Sequence, residues 1–226
     1  ARTMLDSADT LESELGRHRQ GVQGWVRVGV SALMAQCVVI PHLPTLYGQH
    51  PGLHLDIRAD DRMVDMARDG IDIAIRSGHV GNDGLVARKI GLASRSLYAA
   101  PSYLARHGTP EQPDDLSNHH LISLSHVPAM NQWQRLDAPQ SLHVQGASRV
   151  DHTGLLLSMV QHGVGISRLL DVAARPLVAS GQLVPLLQGC FEQDAIDIYA
   201  VMLPERHRLP KIRACVDHWA AALQVP

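Results

Sequence analysis

Little in this 226-residue chain is suited to covalent or metal chemistry. It has three cysteines, Cys37, Cys190 and Cys215, and none forms a C-x-x-C pair. An odd, widely spaced set argues against a disulfide framework. It points to a reducing compartment, read here as the cytoplasm, where thiols serve as small apolar side chains. No apolar run reaches the roughly 18–20 residues that a membrane-crossing helix needs. No charged-then-apolar leader is read at the start. Strong positive charge is lacking too. The formal net charge is −2, whereas a nucleic-acid-binding domain carries a basic patch. The chain as it stands is therefore not expected to bind DNA strongly.

Enzyme signatures are missing as well. There is no G-x-S-x-G elbow and no Walker loop. Asp60 and Asp61 are neighbours whose carboxylates diverge on an extended chain rather than share a proton. In Gly163-Val164-Gly165-Ile166-Ser167 two glycines stand two apart without the rest of a dinucleotide fingerprint, so close packing is the simpler reason for them. The fourteen histidines invite a metal reading, but His119 and His120 are adjacent and point to opposite faces of a strand. His50 and His54 flank Pro51-Gly52 and share no helix face. No H-E-x-x-H occurs. No cofactor, metal or catalytic residue is expected.

What the chain does contain is an α/β pattern. Residues 26–30 are a β-rich run. Residues 40–47 carry apolar side chains at helical spacing, and Pro51-Gly52 turns the chain into residues 53–57, which alternate with period two. Residues 61–69 predict a short amphipathic helix stopped by Gly70, and residues 71–76 a third strand. Farther on, residues 96–100 and 121–124 predict strands, with Pro101 opening a helix. Residues 128–139 predict a loop with a short strand around Trp133. Residues 142–150 predict one strand, with Asp151 as N-cap of a helix over 153–162. Residues 163–167 return to the sheet, 169–179 predict a helix, and 183–186 an edge strand that tolerates Pro185. Residues 196–203 predict a strand and 210–223 a closing helix with Ile212, Cys215, Val216, Trp219 and Leu223 on one face. At the start, Met4, Ala8, Leu11, Leu15, His18 and Val22 form a heptad seam over about three repeats.

Several of these runs, in order, resemble one family. The stretch from Val26 to Gly78 ending in IDIAIRSG, then LVARKIG (from Leu85), LYAAPSYLARHGTP (from Leu97) and DDLSNHHLI (from Asp114) fit it. So do HGVGIS (from His162), SGQLVPLL (from Ser180) and IYAVMLPERHRLPKIRACVDHW (from Ile198). Together they resemble the effector-binding domain of LysR-type transcriptional regulators. The resemblance covers nearly everything from Gly24 onward. It implies two Rossmann-like subdomains joined by two crossover strands, the type 2 periplasmic-binding-protein-like arrangement. The first would hold residues 24–96 and 200–226, the second residues 97–199, with a linker helix over 1–23. The DNA-reading helix-turn-helix of that family is missing here, and with Ala1 in place of Met the chain is read as a fragment or processed product. The family has a redox-sensing branch with paired cysteines in the second subdomain. This chain has only Cys190 there, so an inert thiol is the reading.

The function implied is the sensing of a small metabolite in a cleft between the two halves. The domain would act as a homodimer, through the 61–69 helix and the 53–57 strand, and as a tetramer at full length. Promoter DNA would be touched only through the missing N-terminal domain, and no membrane partner is implied. Two helix N-termini bear on the cleft, at Ser31-Ala32-Leu33 and at Asp151-His152-Thr153. Such ends suit a carboxylate, phosphate or carbonyl. Ser31 is read as a ligand contact and Asp151 mainly as a cap. Arg76 and Ser77 end the third strand. Arg76 either clamps a ligand carboxylate or pairs with Asp60 or Asp72. Leu124, Ser125 and His126 complete the lining, with Ser167 and Arg168 beyond. Arg168 and Leu170 depart from the family's usual residues, so its ligand class does not carry over. A periplasmic solute-binding protein of the same fold is the rival reading. The leading heptad helix and the cysteines speak against it.

Overall fold

The computed structural model describes residues 21–60, 65–78, 84–125, 127–193 and 195–223. Outside them lie the seam residues Met4, Ala8, Leu11, Leu15 and His18, residues Asp61, Arg62, Met63 and Val64 of the expected helix, and His126. In chain order the elements are β1 (Gln23–Val30), α1 (Ala32–Met34), a π-helical turn (Ala35–Val39), a 3-10 turn (Ile40–His42), α2 (Leu43–Gln49), β2 (Gly52–Ala59), α3 (Met66–Asp69), β3 (Ile73–Ser77) and β4 (Val86–Ala93). Then come β5 (Arg95–Ala99), α4 (Pro101–His107), a 3-10 turn (Pro113–Asn118), β6 (Ile122–Leu124), another (Pro128–Asn131), β7 (Gln132–Trp133) and β8 (Leu142–His143). β9 (Ser148–Val150), α5 (Thr153–Gln161), β10 (Ser167–Leu170), α6 (Asp171–Ala179), β11 (Val184–Leu186), β12 (Ile196–Met202) and α7 (Pro210–Leu223) complete the chain. The described residues fall into two compact units. One takes them from Ala1–Val30, Val38–Gly91 and Tyr199–Pro226, the other from Ser31–Cys37 and Leu92–Ile198.

In the first unit five strands are ordered β2-β1-β3-β12-β4. β1 runs parallel to β2 on one side and to β3 on the other. Val26, Val28 and Val30, which share one face of β1, are at most 1% exposed. The apolar face of α7, with Ile212, Cys215, Val216 and Trp219 all buried, lies against β1. Asp72 is tied down just ahead of β3. It takes the Arg27 N–H at 2.9 Å and the Arg206 guanidinium at 3.1 Å.

The second unit is built on both faces of β5. Leu97 and Ala99 share one core with Tyr103, Leu116, Trp133, Val144 and Ile166. Tyr98 and Ala100 share another with Ile122, Leu124, Leu156, Val160 and Leu169. This is period-two alternation on a strand with a core on each side. β5 pairs antiparallel with β10 and β11, with Pro185 on the edge strand. β6 pairs parallel with β9, and a bridge from Leu121 to Ile166 ties the two sheets together.

Several local expectations are corrected. The helix expected over 40–47 is helical from Ala32 through Gln49, in four consecutive pieces. Pro41 and Pro44 sit at the starts of two of them, and a proline without an N–H resets the hydrogen-bond ladder. The helix expected over 61–69 is, in its described part, the single turn of α3. Asp65 is extended, caps the Arg68 N–H at 3.1 Å, and Gly70 ends the turn at φ 65°. The strand expected over 142–150 is split into β8 and β9. At Gly146 the chain approaches the Leu121 carbonyl and the Ser123 amide too closely for a side chain. Asp151 is not the N-cap of α5; His152 holds that position. The helix expected from 169 starts at Asp171, because Ser167–Leu170 pairs with β5.

Candidate functional site

β1 ends at Val30, and Ser31 turns the chain into α1 with extended angles, φ −66° and ψ 151°. Its hydroxyl oxygen accepts the Met34 N–H at 3.3 Å, and its carbonyl accepts the Ala35 N–H at 2.8 Å. Ser31 is thus a helix cap. A hydroxyl has two lone pairs and one proton, so the capping bond leaves the Ser31 O–H able to donate. Leu33 is buried and Ala32 exposed. The segment Ser31–Cys37 groups with the second unit, and α1 lies against α5.

The parallel register pairs Leu124 with Val150, so β6 and β9 end side by side. Ser125 donates to the Val150 carbonyl twice, from its N–H at 2.8 Å and its hydroxyl at 3.1 Å. Leu124 is 4% exposed and its side chain belongs to the core with Leu156. Asn131 closes the strand by hydrogen-bonding both the N–H and the carbonyl of Leu124, at 2.9 and 2.7 Å. No periodicity around residues 128–139 signals this role. Asp151 and His152 are exposed and Thr153 half-buried at the start of α5. The N-cap His152 makes no side-chain cap hydrogen bond. The helix begins with the partial positive charge of its N-terminus.

Ser167 and Arg168 are both buried but do not line one pocket. They stand opposite Tyr98 and Leu97, which face different cores. The Ser167 hydroxyl donates to the Ile122 carbonyl at 2.8 Å, and the Arg168 guanidinium to the Glu192 carbonyl at 2.6 Å. The remaining expected residues lie in the first unit, at the carboxyl ends of its parallel strands. The Asp60 N–H donates to the Val30 carbonyl at 3.0 Å. Ser77 is exposed and Arg76 half-buried. Burial lowers the Arg76 pKa while the Asp60 charge opposes that shift. Of its two expected partners, Asp72 is held by Arg27 and Arg206 instead.

Among the described residues no three His, Cys, Asp or Glu side chains are grouped as metal ligands. No helix among them is long and apolar enough to cross a membrane. All three cysteines are free thiols. Burial, with Asp72 nearby, pushes Cys215 up to about 12, and burial raises Cys37. Neither thiol is poised as a thiolate.

Known proteins of similar sequence and structure are regulators. The LysR substrate binding domain family matches residues 19–224. An HTH-type transcriptional regulator of Haemophilus influenzae is 32% identical over 211 residues, covering 91% of this chain and 70% of the relative. The HTH-type transcriptional regulator DmlR of Escherichia coli is 28% identical, covering 96% of this chain and 71% of its own length. Among solved structures, the regulatory domain of CrgA from Neisseria meningitidis, a LysR-type transcriptional regulator, aligns with a TM-score of 0.84 at 25% identity. That alignment covers 89% of this chain and 99% of the CrgA domain.

Proposed function

This chain belongs to the LysR substrate binding domain family, and from that premise we propose that it senses a small carbonyl- or carboxylate-bearing metabolite at the Ser31-Ala32-Leu33 turn and the start of α5. It is the effector-binding domain of a LysR-type transcriptional regulator. The observation that supports this site is the placement of α1 against α5, with Ser31 at the head of one and His152 as the N-cap at the head of the other. The Ser31 hydroxyl supplies a donor. The α5 N-terminus supplies N–H groups and a dipole favouring an oxygen acceptor.

A ligand with unequal affinity for two arrangements of the domain shifts the population between them. Passed through an oligomer, that shift reaches DNA-reading heads on an N-terminal domain. We place the oligomer contact at β2, an edge strand of its sheet, where a two-fold contact is self-complementary. Sedimentation is expected to show a dimer at tens of micromolar, roughly the range of moderate affinities. Monomer alone would refute that contact.

The site is tested by calorimetry against a panel of monocarboxylates and carbonyl compounds. Ser31→Ala is expected to weaken a hit by about 0.5–1.5 kcal/mol, or up to about 3 kcal/mol if the acceptor is charged. Ser31→Trp is expected to abolish it, with folded stability lowered only by the lost cap, about 1 kcal/mol. A hit whose affinity survives Ser31→Trp means that the metabolite binds elsewhere.

A further inference from the structure

We infer a second small-molecule site in the second unit, apart from the Ser31 turn, that takes an uncharged or singly anionic carbonyl compound with a hydrocarbon body. A half-open concavity of about 510 Å³ lies between the 3-10 turn Pro113–Asn118 and the extended segment 142–147. That volume is within the range of small-molecule pockets, roughly 300–1,000 Å³. Its apolar floor is Leu116 and Val144, 1% and 3% exposed, with Leu121 and Leu142 packed on the same core. Neither Ser31 nor any residue of α5 lines it.

The polar chemistry of the wall is set by buried Tyr103. Its hydroxyl oxygen accepts the His120 N–H at 2.8 Å and lies 3.2 Å from His119 Nδ1. A backbone N–H can only donate, so the Tyr103 hydroxyl keeps its proton and one further lone pair for His119 Nδ1. When the Tyr103 O–H donates across that contact, neutral His119 carries its hydrogen on Nε2, and this is the tautomer we assign to the site. Burial and the neighbouring His107 hold the His119 pKa below the ordinary imidazole value, against the pull of Asp115. In that tautomer the wall offers an uncharged N–H donor.

Asp114, at the rim, is bound to Arg135 at 2.5 Å, and Arg135 also holds Asp137 at 2.8 Å. That pairing offsets the one carboxylate in the lining and disfavours a cationic ligand. An oxygen acceptor on an apolar body fits what remains: a donor on the wall and leucine and valine beneath it.

The test is proton–nitrogen NMR of the labelled chain with hexanoate and hexanamide as probes. Either probe is expected to shift the amides of Leu116, Ser117, Val144 and Gln145. Ser117→Trp, at an exposed rim position, is expected to abolish those shifts. Gln145→Trp on the opposite rim serves if Ser117→Trp does not fold. His119→Phe keeps a ring against Tyr103 but removes the donor, and is expected to weaken binding about five- to tenfold. Ser31→Trp is expected to leave the shifts unchanged, so this site stands or falls separately from the metabolite site. The inference is overturned if neither probe moves these amides at about 10 mM, well above a millimolar dissociation constant. It is overturned equally if the shifts survive both rim substitutions, or if Ser31→Trp removes them.

Discussion

Gly165→Ala is expected to destabilise the second unit by about 3 kcal/mol or more. The reason is space rather than dihedral freedom. A Cβ at Gly165 would overlap the His120 carbonyl oxygen and stand 2.9 Å from its ring Cδ2 and 3.0 Å from its carbonyl carbon. That same carbonyl accepts the Ile166 N–H at 2.9 Å, and the Ile166 carbonyl accepts the Ile122 N–H at 3.0 Å. Alanine must therefore push apart the seam that joins the β6–β9 pair to the β10–β5–β11 sheet. Gly154→Ala is the internal control. It lies in the first turn of α5 with no atom within 4 Å of the added Cβ, so it is expected to stabilise by about 0.5–1 kcal/mol. Urea denaturation, with hydrogen exchange of peptides covering residues 120–124 and 165–170, separates the two. A Gly165→Ala protein within about 1 kcal/mol of the parent would show that the strands can part without loss.

The glycine pair also shows what a sequence can and cannot tell. Two glycines two apart, without the rest of a dinucleotide fingerprint, mark a close approach of backbones, and Gly165 makes one. The strands were legible where local composition was simple: β1 as a β-rich run, β2 by alternation. The α7 face was legible because Ile212, Cys215, Val216 and Trp219 repeat at helical spacing. Boundaries failed where a tertiary contact overrode local preference. Residues 142–150 look like one strand until the Leu121 carbonyl is seen against Gly146. The candidate site was legible as a set of strand ends and helix starts, because loops at such ends carry binding groups in α/β folds. Its internal divisions were not. Ser167 and Arg168 are adjacent in sequence, yet the pleat of β10 sends them to opposite cores. Asn131 clasps Leu124 from seven residues away, through a contact no pattern encodes. The Tyr103–His119–His120 arrangement depends on a hydroxyl that the sequence shows only as one apolar-looking ring among helix residues.

Trp219→Ala is expected to cost the first unit about 3–5 kcal/mol, the usual range for removing a large buried aromatic side chain. Trp219 is 0% exposed in the middle of the apolar face of α7, and truncation would leave a void against the sheet. Trp219→Phe separates volume from polarity. The indole Nε1 is buried with no hydrogen-bond partner among the described residues, and an unpaired buried donor costs about 1–3 kcal/mol. Phenylalanine gives up part of the packing but removes that donor. The two effects oppose each other, and the net change is expected to stay within about 1.5 kcal/mol of the parent. Denaturant midpoints of the two variants decide the matter. If Trp219→Phe unfolds as readily as Trp219→Ala, the indole nitrogen is contributing a bond, and the unpaired-donor account of this helix is wrong.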